Sequence, residues 1–185
     1  MTAPFLAVYL GGAFLLALAV ALPATGAASL LAGRAAWRWL PFLIATFFFI
    51  FLTQHPFPAP GSLHCPVPYM QPKLQPFDFL HILGEGLASP SPWLGKQAAA
   101  IGMNFAICAM IGALLARHSR SLFTAILFGL GLPLLVELSQ LTGLFGIYPC
   151  AYRLFDVDDL ILNFAGILSG FLAARAFLRA RATKA

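Results

Sequence analysis

A single glutamate inside an apolar run is the first residue of this chain that could do chemistry. Glu137 sits in Leu134-Leu135-Val136-Glu137-Leu138-Ser139-Gln140. An ionisable group in a membrane-spanning helix is costly and faces a bundle interior or a wet cavity. Gln140, three residues on, shares its helix face. Pro133, one turn earlier, frees the carbonyl of Gly129, and Gly129 and Gly131 favour a bend there. A second run is Arg153-Leu-Phe-Asp156-Val-Asp158-Asp159-Leu-Ile-Leu-Asn163-Phe-Ala-Gly166-Ile-Leu-Ser-Gly170. A helix beginning near Asp156 puts Asp156, Asp159, Asn163, Gly166 and Gly170 on one face, polar at the top and small below. Gly166-x-x-x-Gly170 admits close approach of another helix. Asn104, roughly 12 Å below the outer end of its own segment, falls at a similar depth. Arg153 is the expected countercharge for Glu137 or the aspartates.

Two kinds of chemistry fit this set. The cluster can hold a lipid headgroup, with Arg153 on its anionic part and Glu137, Asp156 and Asp159 on a cationic or hydroxyl group. Alternatively, Glu137 serves as a general acid or base with Asp159 or Asp156 as its partner, and Arg153 stabilises developing negative charge. The bland alternative is that Asn104, Gln140 and Asn163 only knit helices together. A transporter is the weaker reading, because five short spans leave little room for alternating access.

The elements that must position these residues follow from composition. The chain of 185 residues is 61% hydrophobic and 9% charged. A soluble domain carries about 25% charged residues, so a water-soluble globule is excluded. Apolar runs near the length of about 20 residues needed to cross a bilayer predict an all-α, polytopic transmembrane bundle of about five spanning helices, forming one membrane domain over residues 1–185. The segments run from about Pro4 to Leu22, Trp37 to Thr53, Lys96 to Ala116, Leu122 to Phe145 and Asp159 to Phe177. No Lys or Arg precedes Arg34, so segment one reads as a span, not a signal peptide. An even count would require segment one or two to be re-entrant. A Pro-rich loop fills about 54–95 and cannot be one helix.

Basic residues orient the bundle. Arg34 and Arg38, Arg117 and Arg120, and Arg175, Arg179, Arg181 and Lys184 fall at alternate segment ends. Those ends are expected in the cytoplasm, with the N-terminus outside and the C-terminus inside. The net charge of +5 then reflects loops facing anionic lipid, not nucleic acid, for which no basic stripe with interleaved aromatics exists. All the acids but Glu137 fall in outer loops or at an outer helix end.

Phe77, Leu80, Leu83 and Leu87 have helical spacing, which suits a helix lying in the interface. Asp78, His81 and Glu85 fall opposite, as a solvated face or an acid–base or metal constellation. Cys65 and Cys150 lie on the two outer loops and could pair in an oxidising envelope. Cys108 reads as a small packing residue. No Gly-rich phosphate loop, H-E-x-x-H or C-x-x-C is present, so no metal or cofactor is assigned.

The elements Glu137-x-x-Gln140 and Arg153-x-Phe155-Asp156-x-x-Asp159-x-x-x-Asn163-x-x-Gly166 resemble those of the VanZ-like family. Gln75-Pro76-Phe77 is similar to a Pro-Phe element of that family. Asn104-x-x-x-Cys108-x-Met110-x-Gly112 is similar to its N-x-x-x-F-x-P-x-G, with Cys108 for Phe and Met110 for Pro. The resemblance covers about residues 75–171. It implies a bacterial inner-membrane protein of the cell envelope, whose partners are membrane lipids or a lipid-linked envelope precursor or glycolipid. It also implies a connection with susceptibility to glycopeptides such as teicoplanin, and no agreed reaction.

Overall fold

In a computed structural model, residues 3–59, 61–65, 70–88 and 92–183 are described, with side chains from residue 7 on and outside 86–88 and 92–94. The side chain of Leu87, and Lys184, fall outside them. The elements are α1 (Ala3–Ala32), a 3₁₀ segment (Gly33–Trp39), α2 (Leu40–Gln54), α3 (Asp78–Ala88), α4 (Pro92–Leu115), α5 (Leu122–Leu141), the short α6 (Gly143–Gly146) and α7 (Val157–Ala182).

Among the described residues, four stretches are long and apolar enough to cross a membrane: Ala7–Gln54, Gly95–Leu115, Leu122–Leu141 and Val157–Ala182. The first has 48 residues, over twice what one crossing needs. It folds back on itself, because the Tyr9 hydroxyl donates to the carbonyls of Leu52 and His55. The chain is therefore an all-α, multi-pass membrane protein with about five passes.

Helix α1 runs past the expected end at Leu22, straight through Pro23 to Ala32. A spanning helix tolerates an internal proline, and the Thr25 hydroxyl donates to the Ala21 carbonyl at 2.8 Å. Helix α5 likewise continues through Pro133. It stops at Leu141, short of the expected Phe145. Gly143, Leu144 and Phe145 all take positive φ there, which turns the chain out of the helix. Helix α7 starts at Val157, with Asp156 as its extended N-cap accepting from the Asp158 amide at 2.9 Å.

Helices α4 and α7 run parallel in close contact. A Cβ on Gly166 would stand 2.7 Å from the Phe105 carbonyl oxygen. One on Gly170 would collide with the backbone of Ala109, and one on Gly112 with that of Ile167. Three glycines thus bring two backbones together. In lipid, where helix association gains little from the hydrophobic effect, such packing is the main attraction. Phe49, Ile111, Ile167 and Phe171 fill the core beside this seam. Leu15, Phe123, Leu127, Leu134 and Leu135 are exposed on the outside, as lipid-facing residues are.

The two ends of the bundle differ. At one end the 3₁₀ segment meets the α4–α5 turn, where Trp39 stacks on His118 at 3.9 Å. This end carries every arginine but Arg153. The other carries the loops 55–77 and 142–156 and the acids.

Replacing Gly170 with Val should cost roughly 1–3 kcal/mol or more through backbone overlap. Gly131, with open space around it, should accept Ala at no cost. Thermal unfolding in mild detergent, followed by size-exclusion elution, checks both.

Candidate functional site

At the loop end, helix termini and two loops are tied together by polar side chains. Glu137, buried on α5, accepts the Asp156 amide at 2.9 Å through Oε2. The helix face carrying Glu137 thereby fixes where the loop 142–156 enters α7. Gln140, also buried on α5, donates to the Thr53 carbonyl at 3.0 Å and joins α5 to the end of α2. From the opposite direction Gln54 donates to Ser139 Oγ at 2.6 Å. The Tyr152 hydroxyl donates to the Gln54 side-chain oxygen. Burial, above the lesser influences of Arg153 and Tyr148, pushes the Tyr152 phenol up to about 12, so it remains a donor.

The polar half of α7 faces α4. The Asn104 amide is within hydrogen-bonding reach of Asp159. One turn lower, the Cys108 thiol lies 3.4 Å from Asn163 Oδ1. Asn163 is fully enclosed, and an unpaired amide there would cost about 1–3 kcal/mol. Asp159, Asn163, Gly166 and Gly170 therefore do share the face set by their spacing. Asp156 stands above it in extended backbone.

Arg153 does not make the ion pair expected of it. Its guanidinium donates to the His55 carbonyl at 2.5 Å, and among the described residues no carboxylate lies within 4.0 Å of it. A guanidinium has five N–H donors and can serve a loop carbonyl instead of an acid. The cation that meets the aspartates is Lys73, whose Nζ is 3.0 Å from Asp78, 3.3 Å from Asp156 and 3.8 Å from Asp158. Burial lowers the Lys73 ammonium, and the hydrogen bond to Asp78 with the charge of Asp156 outweighs it, so the net direction is upward. The sign is that of a cation gaining partners. The stabilisation is present below the ordinary lysine value and is lost as pH rises through the raised one.

Lys73 also pairs by its backbone. Its amide donates to the Phe155 carbonyl at 2.8 Å, and the Val157 amide donates to its carbonyl at 3.0 Å. The buried Asp158 accepts from the Phe77 amide at 2.6 Å and the Phe79 amide at 2.9 Å. It thus caps α3 from another helix, satisfying donors that a helix start leaves orphaned. The pull helps hold Phe77 at a φ of 70°, unusual for a residue with a side chain. Cys65 and Cys150 are joined in a disulfide, with Cα atoms 5.9 Å apart. The Tyr148 hydroxyl donates to the Pro58 carbonyl at 2.9 Å.

Sequence reasoning missed Lys73, Asp158, Gln54, Tyr152 and Ser139. Lys73 carried a readable signal as the one cation in the long loop before α3. Asp158 was hidden beside two other acids. His81 and Glu85 face each other at 3.5 Å on the exposed side of α3, while Asp78 turns to Lys73. Among the described residues no group of three His, Cys, Asp or Glu is arranged to hold a metal.

Four sequence elements far apart in the chain thus converge: Pro76-Phe77, Asn104 to Gly112, Glu137 to Gln140, and Arg153 to Gly170. The family described as VanZ/LLP1 matches residues 39–179. The chain belongs to the VanZ/LLP1 family. The match takes in α2 through most of α7, wider than the stretch that carries the recognisable motifs. Comparison with curated proteins and with solved structures returned no match.

In this VanZ/LLP1 chain, Asp158→Ala should cost about 1–3 kcal/mol, because two partly buried amides lose a charged acceptor. Thermal unfolding in detergent checks the loss. Under non-reducing conditions the protein should migrate faster on a denaturing gel than after reduction. That difference should vanish in Cys65→Ser.

Proposed function

We propose that this VanZ/LLP1 protein is a bacterial inner-membrane protein of the cell envelope that binds or modulates an envelope lipid or glycolipid through the loop-end polar cluster, and thereby affects glycopeptide susceptibility. Its N-terminus lies outside and its C-terminus in the cytoplasm, so the cluster sits in the outer leaflet. The arginines at the other end favour this orientation, as does a disulfide at the loop end.

One observation carries the reading. Neither Glu137 nor Asp159 has a cation within 4.0 Å among the described residues, while Lys73 is engaged by Asp78, Asp156 and Asp158. Arg153 and Lys73 act on them only from beyond contact distance; carboxylates withdrawn from water without a cation in contact are expensive, and they suit a ligand that brings hydroxyl or ammonium donors. Sugar and amine headgroups supply both. Arg153, held to the His55 carbonyl beside Tyr152, has donors left for a headgroup phosphate.

A second reading uses the same pair. Glu137 and Asp159 are near enough to feel each other's charge, an arrangement that suits proton transfer on a lipid-linked substrate. The test is a panel of Glu137→Gln, Asp159→Asn and Arg153→Lys at matched membrane abundance, with co-purified lipid identified by mass. Binding predicts a graded loss of retained lipid across the three. An enzyme predicts that Glu137→Gln keeps its lipid and loses nearly all turnover. If all three variants retain lipid as the wild type does and glycopeptide susceptibility is unchanged, the polar cluster only joins helices.

A further inference from the structure

The arginine end is indented, far from the loop-end cluster. Two adjoining cavities, of about 400 and 490 Å³, share Arg117, His118 and Leu178. Arg38 borders the first, and Arg120, Arg175 and Arg179 border the second. These side chains come from three places in the chain: the 3₁₀ segment, the α4–α5 turn and the last turns of α7. All six acidic residues lie between 78 and 159, and those in the described ion pairs are at the loop end. The guanidinium groups therefore converge without an acid to balance them.

One observation points to a missing anion. The Nε of Arg175 is enclosed and has no hydrogen-bond partner among the described residues. An enclosed donor of this kind ordinarily finds an acceptor. His118, stacked on Trp39, is held below the ordinary imidazole range, first by burial and then by Arg38 and Arg117. The last carbonyls of α7 attract Arg179 and Arg181 in any case. They do not account for Arg175, about two turns before the helix end.

We propose that Arg38, Arg117, Arg120, Arg175 and Arg179, with His118, form a binding site for a phosphate group at the basic end of the bundle. Planar guanidinium forks match phosphate oxygens in pairs. Leu178 and the apolar flank of α7 border the cavities, which suits the phosphate of an anionic phospholipid as well as a soluble phosphate. The site lies at the opposite end from Glu137 and is independent of the loop-end reading.

The test uses the full-length protein purified in mild detergent. In one arm it is equilibrated with equal amounts of phosphatidylglycerol and phosphatidylcholine, and retained lipid is counted by native mass spectrometry. In the other, millimolar inorganic phosphate is added and the melting temperature is followed. The variant Arg117→Gln/Arg179→Gln removes two exposed side chains and should fold normally. Arg175→Gln is a second variant, and Arg34→Gln removes a charge at the same end outside both cavities. Preferential retention of phosphatidylglycerol should fall about fivefold per cavity arginine removed, equivalent to about 1 kcal/mol each, and persist in Arg34→Gln. That outcome identifies a lipid headgroup. Stabilisation by inorganic phosphate, without a lipid preference and lost in the cavity variants, identifies a soluble anion. If neither probe responds, or Arg34→Gln loses as much as the cavity variants, the site does not exist.

Discussion

The hydrogen bond from the Asp156 amide to the buried carboxyl of Glu137 is the constraint on which the loop end depends. Within a bilayer no water is available to satisfy an exposed backbone group. The chain leaving α5 must turn, cross the bundle top and enter α7 with its amides accounted for. Glu137 supplies the acceptor at the entry point, from near the end of α5. Once Asp156 is fixed, Lys73 can pair with the backbone on either side of it, and Asp158 is aimed at the start of α3. Two loops that share no regular structure are thereby held over the helix ends.

The seam between α4 and α7 acts in concert with this junction. Gly112, Gly166 and Gly170 set the distance between the two backbones. That distance lets Asn104 reach Asp159 and Cys108 reach Asn163. A wider seam would leave those amides and the carboxylate facing hydrocarbon. The small residues thus make the polar layer above them possible, as close helix approach does in membrane bundles generally.

Much of this was legible in the chain. The spacing of Asp159, Asn163, Gly166 and Gly170 gave the face of α7, because helical period alone decides it. The apolar runs gave the passes. The partners were not legible, because they depend on side chains meeting across loops with no period. Arg153 is the clearest example: charge alone pointed it at Glu137, and the geometry of the loop gave it the His55 carbonyl. Lys73 took the ionic role because the strand-like pairing of residue 73 with residue 156 brings its side chain among three aspartates. The extension of α1 through Pro23 was illegible for another reason: proline reads as a helix end, and a spanning helix tolerates it.

Amide hydrogen exchange across residues 150–158 tests the central junction most directly. With Glu137 in place, the amides of Asp156 and Val157 should exchange at least tenfold more slowly than free peptide. Glu137→Ala should remove that protection while the α4–α7 amides keep theirs. Exchange of Asp156 at the free-peptide rate in the wild type, or protection unchanged in Glu137→Ala, would contradict it.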